Sequence, residues 1–222
     1  MHITRGGMMN IAYLIPGVGL TEEEKTRRLH ILVKIGAGNP KVDLFEVDEG
    51  PTAIETAEDE LAAVGPVVKL AKAKQAEFDA LIIGCFGDVG INALRQEVAI
   101  PVIGPARATY SIAAAAFPSF SILSLNSGFI EEEWEITQRL GIAAQVKGIL
   151  AVDLPVDTII DEPERALKHI TSLAEQLDDL AVVPGCMSMA FLLEEKNILQ
   201  IGTSRVVNPL RCAVRAAMAM TA

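Results

Sequence analysis

Cysteine is scarce in this chain of 222 residues: three, an odd number, with no Cys-x-x-Cys pair. That excludes a disulfide framework, argues against a zinc site, and makes a reducing cytoplasm the expected setting. Histidine is equally rare, with three copies, so the commonest catalytic base is in short supply and any proton chemistry has to draw on other groups. Basic residues are outnumbered: 19 Lys+Arg against 29 Asp+Glu give a net charge of −10, and they form no stripe that could follow a phosphate backbone. Nucleic acid and anionic membrane surfaces are thereby excluded as expected partners. No apolar run reaches the roughly 18 residues of a spanning helix. The longest, around Ser111 to Phe117, is Ala-rich and ends at Pro118. The opening MHITRGGMMNIAYLIPG carries one Arg and a short apolar run but no small-residue cleavage site, so the run reads as a first strand, and Met8 or Met9 could be the true start of the chain.

Half the residues are apolar, 22% are charged, and 17 Gly and 11 Pro are scattered, which describes a globular chain able to build one large domain or two lobes of roughly 100 residues each. Short β-branched runs alternate with helix-period segments, the pattern of an α/β fold on a mostly parallel sheet. Strands are expected at Asn10 to Ile15, Val42 to Val47, Ala80 to Gly84, Val102 to Gly104, Ser119 to Leu125, Val146 to Leu150, Leu180 to Pro184 and Leu199 to Gly202. Helices are expected at Glu22 to Ile35, Ala57 to Gln75, Ile91 to Gln96, Arg107 to Ala116, Ile130 to Arg139, Pro163 to Leu177, Met187 to Glu195 and Pro209 to Met220. Thr21 ahead of Glu24 reads as a capping box, and Asn208 precedes a proline at the first helical position.

A weak internal repeat carries the chemistry. FDALIIGCFGDVGINALRQEVAIPVIG (78–104) and DDLAVVPGCMSMAFLLEEKNILQIG (178–202) each run from an acid through an apolar strand to a Gly–Cys pair, a short helix, and a second strand ending in Gly. Cys85 and Cys186 therefore fall just past the carboxyl end of a buried strand, where open α/β sheets bind ligands. A helix beginning there would favour thiolate over thiol. Facing one another across a shared cleft, the two cysteines could invert a carbon α to a carbonyl, one thiolate as base and the opposite thiol as acid. Either could instead be a small buried hydrophobe, which is how Cys212, on an Ala-rich helical face, is read. Gly84, Gly87 and Gly90 would let backbone N–H groups approach an enolate oxygen. Asp88 reads as the N-cap of the helix that follows, and Ser188 as either a ligand donor or a quiet first-turn residue. The acidic runs Glu22 to Glu24 and Glu131 to Glu133 read as solvated helix starts, and the Met cluster at 187, 189, 218 and 220 as core. GVGLTE lacks the third glycine of a dinucleotide fingerprint, so no cofactor site is supported, and no metal set is apparent.

These segments, with GPTAIETAEDELAAVGPVVKLA (50–71), resemble the aspartate/glutamate/hydantoin racemase superfamily, most nearly its hydantoin and allantoin racemase branch. The resemblance implies two similar Rossmann-like α/β lobes, 9–104 and 105–208, with a helix over 209–222 returning to the first, the active site between them, and no cofactor. It also implies one catalytic cysteine from each lobe, Cys85 and Cys186, and a pocket of Pro16, Gly17, Phe86, Gly87, Ser124, Gly185, Met187 and Ser188 around a small-molecule substrate. The chain departs from the branch at Ile15, Pro16 and Gly17, where relatives carry Asn-Pro-Asn, at Ser124 and Leu125 in place of two threonines, and at Arg107 where a glutamate is usual. An arginine there either holds a substrate carboxylate or caps a surface helix start. The expected activity is a cofactor-independent racemase or epimerase of a hydantoin-like ring or an amino acid, as a homo-oligomer; the alternatives are a cis-trans isomerase or decarboxylase of the same superfamily, or a binding protein without catalysis.

Overall fold

The computed structural model describes residues 9–220. The reading of residues 1–8, Met8 as a start included, and the last two residues of the helix expected over 209–222 lie outside it. Two mostly parallel sheets flanked by helices make two α/β lobes. The first sheet holds β1 (Asn10–Ile15), β2 (Lys41–Glu46), β3 (Ala80–Ile83) and β4 (Val102–Ile103) in the order β2-β1-β3-β4, all parallel. The second holds β5 (Phe120–Ser124), β6 (Val146–Ala151), β7 (Ala181–Gly185), β8 (Gln200–Ile201) and β9 (Ser204–Val206) in the order β6-β5-β7-β9-β8, with only β8 antiparallel. Both central strands are apolar on every residue or nearly so, as strands covered on two faces must be; β3 and β7 are buried throughout.

The helices are α1 (Glu22–Gly36), α2 (Ala57–Lys74), α3 (Ile91–Glu97), α4 (Pro105–Ala116), α5 (Ile130–Arg139), α6 (Val156–Asp161), α7 (Pro163–Ala174), α8 (Met187–Glu195) and α9 (Pro209–Met220). Two elements escaped the sequence reading. Helix α6 is six residues long, too short for a helical period, and β9 is a three-residue strand reached through a turn at Gly202, whose φ is +54°. Helix α4 starts at Pro105 rather than Arg107, because proline fits the first helical position.

Capping differs from expectation at two helices. Thr21 Oγ1 does accept from Glu24 N at 3.1 Å, but the Glu24 carboxylate turns to Arg27 and Arg28, so the box is half made; the complete one is Thr56 with Asp59, at the start of α2. Asp88 does not cap α3, whose N-cap is Gly90. Its carboxylate instead accepts from Ala106 N at 2.9 Å and Arg107 N at 3.2 Å, the open start of α4, and from Arg107 Nη1 at 2.9 Å. A carboxylate there meets unpaired N–H groups and the positive end of the helix dipole, which is why it stays although burial pushes it up to about 6.

The largest core joins the lobes. Tyr13 and Ile82 of the first sheet, Phe120 and Val183 of the second, Tyr110 of α4 and Phe191 of α8 pack with Leu210, Ala213 and Val214 of α9. Asn208 fixes the entry to α9: its Oδ1 accepts from Leu210 N and its Nδ2 donates to the Ala190 carbonyl of α8, each at 2.9 Å. Cys212 sits in this core, as its Ala-rich face suggested. Among the described residues no helix is long and apolar enough to cross a membrane.

Candidate active site

A cavity of about 890 Å³ opens at the carboxyl ends of β1, β3, β5 and β7, where parallel sheets present their loops. Cys85 and Cys186 both line it, one after the last strand residues of each lobe. The glycine before each cysteine is required by its neighbouring strand. A Cβ on Gly84 would lie 2.8 Å from the Leu14 carbonyl oxygen, and one on Gly185 2.8 Å from the Leu123 carbonyl oxygen. The repeat read in the sequence is thus the same strand-end contact made twice, and it sets both thiols at equivalent points of the two sheets.

Beyond the cysteines the two halves diverge. Cys186 is the N-cap of α8, which begins at the next residue, and the N–H groups of Ser188 and Met189 are directed at its sulfur. The helix after Cys85 begins only at Ile91; a glycine-rich loop intervenes, with Asp88 at φ +56° and Gly90 at φ +68°, and only the Gly87 N–H serves that sulfur. The loop N–H expected to face an enolate oxygen is therefore turned to the thiol. The expected depression of both thiols is also reversed. Burial pushes Cys85 well above its ordinary value, with the Glu60 charge adding to it. Burial raises Cys186 too, opposed by those two N–H groups, the Arg28 charge and the Ser188 hydroxyl. Desolvation outweighs a helix terminus when the sulfur is shut away from water.

Of the expected pocket, Pro16, Gly17, Phe86, Gly87, Gly185, Met187 and Ser188 line the cavity. Ser124 does not. It is fully buried behind the wall, donating to the Asn126 carbonyl at 3.0 Å, and bonds to the Glu133 carboxyl; Leu125 takes the wall position. Arg107 also lies off this cavity, tied to Asp88.

Sequence reasoning passed over the charged groups that shape the site. Arg28 of α1 is 4% exposed, pairs with Glu24 at 2.7 Å, lies over the Phe191 ring at 4.9 Å, and reaches Ser188 Oγ at 3.3 Å. It is the cation on the Cys186 side. An acidic wall runs from one strand end to the other: Glu60 of α2 lies over the Cys85 loop, Glu132 of α5 adjoins it, and Glu133 of α5 reaches Gly185, beside Cys186; the last two belong to the run read as solvated. Burial raises Glu60 to about 8, with the adjacent Glu132 charge adding to it, and raises Glu133 to about 8 at 4% exposure. Tyr13 of β1 is fully buried, its ring against Gly84 and Phe191 and its hydroxyl without a hydrogen-bond partner. Burial holds that phenol neutral, far above its ordinary range, and the charges of both thiols act on it.

With this geometry in view, the comparisons are consistent. The profile of the family described as Asp/Glu/Hydantoin racemase matches residues 22–217. A hydantoin racemase of Rhizobium meliloti is 27% identical over 197 residues, 86% of this chain and 78% of that one. Among solved structures, allantoin racemases from Klebsiella pneumoniae and Pseudomonas fluorescens share the fold with TM-scores of 0.78 and 0.81, at 21% and 19% identity; each alignment covers 95% of this chain, and 86% and 90% of theirs.

Proposed function

The chain belongs to the Asp/Glu/hydantoin racemase family, and on that premise we propose that it inverts a stereocentre α to a carbonyl, with Cys85 and Cys186 as the two bases. The observation that carries this reading is that one cysteine from each lobe lines a single cavity at equivalent strand ends. In one direction the Cys186 thiolate takes the α-proton, the electron pair passes into the carbonyl as an enolate, and the Cys85 thiol returns a proton to the opposite face. Enzyme and substrate then hold the same number of protons as before, with the two sulfurs exchanged in state. Cys186 is the better resting thiolate, because Arg28, Ser188 and two backbone N–H groups favour its anion while Glu60 opposes that of Cys85. Tyr13, a neutral phenol buried in the core and outside the cavity lining, takes no step in this exchange.

The electrostatics support a hydantoin-like ring over a free amino acid as substrate. Eight carboxyl side chains line the cavity against two guanidinium groups. Both of those are occupied, Arg27 by Glu24 and Glu195 and Arg28 by Glu24. A substrate carboxylate would enter without a free cation, whereas a neutral ring carries none.

Proton NMR in deuterium oxide with single enantiomers of hydantoins, allantoin, aspartate and glutamate tests this. Loss of the α-proton signal together with optical activity is expected for a ring substrate. Cys85→Ser and Cys186→Ser should each abolish racemisation while retaining solvent exchange into one enantiomer, a different one for each variant. Identical behaviour of both variants towards both enantiomers would refute one base per face, and no exchange with any compound would leave a binding protein.

A further inference from the structure

The acidic wall that runs from the Cys85 loop to Gly185 is not used by the proposed reaction, and its half-buried and buried side chains lack the cations that such carboxyls ordinarily have. Glu60, Glu132 and Glu133 all line the cavity, and among the described residues none of them has a Lys or Arg partner within ion-pair distance. The nearby cations pair elsewhere, Arg107 with Asp88 and Arg139 with Glu135, and act on Glu132 only at a distance, too weakly to offset its burial. Glu60 bonds to Glu132, carboxyl to carboxyl, which requires that a proton be shared between them. The loop below makes room for this. A Cβ on Gly87 would come within 2.2 Å of Glu60 Oε1, so only glycine lets that carboxyl lie over the Cys85 loop.

A separate observation points the same way. Glu133, 4% exposed and on the same wall, has an Oε2 with no hydrogen-bond partner. Buried polar atoms in folded proteins are almost always paired, and an orphan on a cavity wall marks where a ligand atom completes the site. One shared proton leaves Glu60 and Glu132 with one negative charge and free acceptor oxygens, and Glu133 stays neutral only for want of a cation, so the group that would complete all three is a positive donor.

We infer that the wall formed by Glu60, Glu132 and Glu133 receives a cationic group, an ammonium or guanidinium, carried on the substituent of the substrate's stereocentre. The inference rests on the proposed reading that the substrate occupies this cavity, and it narrows the substrate class to rings with a basic side chain. A cavity of about 890 Å³ has room for such a substituent beside a five-membered ring. The same cation would cancel the Glu60 charge that opposes ionisation of Cys85, so it would bind and assist the less favourable base together.

The test is calorimetric titration of the full chain with a hydantoin bearing an aminopropyl group at its stereocentre, against the butyl analogue of equal length. The aminopropyl compound is expected to bind at least about tenfold more tightly. Glu60→Gln and Glu132→Gln should each reduce that preference towards unity. Equal affinities, failure of both compounds to bind, or a preference unchanged in the carboxamide variants overturns the inference; the wild-type pair decides it alone if a variant does not fold. Following the α-proton in the same samples separates this from the proposed reaction. Equal racemisation and equal binding of both compounds removes the inference and keeps the reaction, whereas ammonium-selective binding without exchange keeps the wall and removes the reaction.

Discussion

Replacing Glu133 by Gln should make the protein more stable, and only above acid pH. The glutamate is 4% exposed and its carboxyl is raised to about 8, burial being the main cause and the adjacent Glu132 charge a lesser one, against a hydrogen bond with Ser124. In the unfolded chain it titrates near ~4.3. Between those values the folded state holds a proton that the unfolded state has released, so the folded state binds more protons and stability falls as pH rises. The contribution is whole below the unfolded value, is lost across the window, and is gone above about 8. At about 1.4 kcal/mol per pH unit, this window is worth roughly 4–5 kcal/mol. Glutamine has the same shape, can keep a hydrogen bond with the Ser124 hydroxyl by donating from its amide, and does not titrate, so it escapes that loss.

Urea denaturation of both proteins at pH 5 and pH 8.5, followed by far-ultraviolet circular dichroism, measures the difference. Near pH 5 the two should be within about 1 kcal/mol of each other, the usual spread of a substitution that breaks no major interaction. At pH 8.5 the variant should lead by about 3–5 kcal/mol, equivalent to roughly 10 °C in Tm for a chain of this size. Glu60 and Glu132 give both proteins a slope of their own, so the decisive quantity is the difference between the two pH profiles. Parallel profiles would mean that Glu133 ionises in the folded state without cost, and the argument for an unmatched acidic wall would fail with it.

Other substitutions probe separate parts of the site. Arg28→Met should raise the alkylation midpoint of Cys186 by about one pH unit, since a neighbouring positive charge favours thiolate, and mass-resolved iodoacetamide kinetics across pH would show it. Gly185→Ala should destabilise by about 1–3 kcal/mol or more, because its Cβ meets the Leu123 carbonyl oxygen at 2.8 Å and the Ser124 Cα at 3.3 Å, strand backbone that cannot yield, besides the Glu133 carboxyl at 2.6 Å. Gly87→Ala meets only the movable end of Glu60, so thermal denaturation should place it within about 1 kcal/mol of wild type while the aminopropyl preference is lost. Asp88→Asn keeps a residue type tolerant of φ +56° but turns an amide N–H group towards the donors its second oxygen accepts from, and should lower the urea midpoint by about 1 kcal/mol equivalent at pH 5, the gap narrowing as pH rises through about 6, where the wild-type carboxyl ionises against its burial.

The elements that position the cysteines were legible because their signals are local. A run of buried apolar residues ending in Gly–Cys marks a strand end whatever surrounds it, and the internal repeat placed the two ends in register. The charged wall was not legible in the same way, because the run Glu131 to Glu133 reads as solvated by its composition, and Glu60 and Arg28 draw no reading at all until helical phase is considered. Glu133 stands three residues before Ile136, Glu60 three before Ala63, and Arg28 three before Ile31, so each continues the buried stripe of its helix by one turn. A charge in phase with a buried stripe at its open end is where a helix meets a cavity, and that phase is present in the sequence. What the sequence cannot carry is the partner. Arg28 acts through Ser188, 160 positions away, and Asp88 caps a helix 18 residues downstream, contacts decided by how the lobes close.

The asymmetry of charge across the cleft has a kinetic consequence for the proposed reaction. The free enzyme with thiolate at Cys186 is favoured over the form with thiolate at Cys85, which lies beside Glu60. The two enantiomers of a substrate are equally stable, so kcat/KM must be equal in the two directions however unequal the enzyme forms are. The imbalance therefore has to appear as a matched difference in kcat and KM between the enantiomers. A substrate whose ammonium neutralises Glu60 relieves the Cys85 thiolate, so kcat and KM for its two enantiomers should converge, while those of the butyl analogue stay apart. Progress curves from each pure enantiomer, followed by polarimetry at saturating and limiting concentrations, measure both. An equal kcat for the two butyl enantiomers would show that Glu60 does not weigh on Cys85 in the working enzyme.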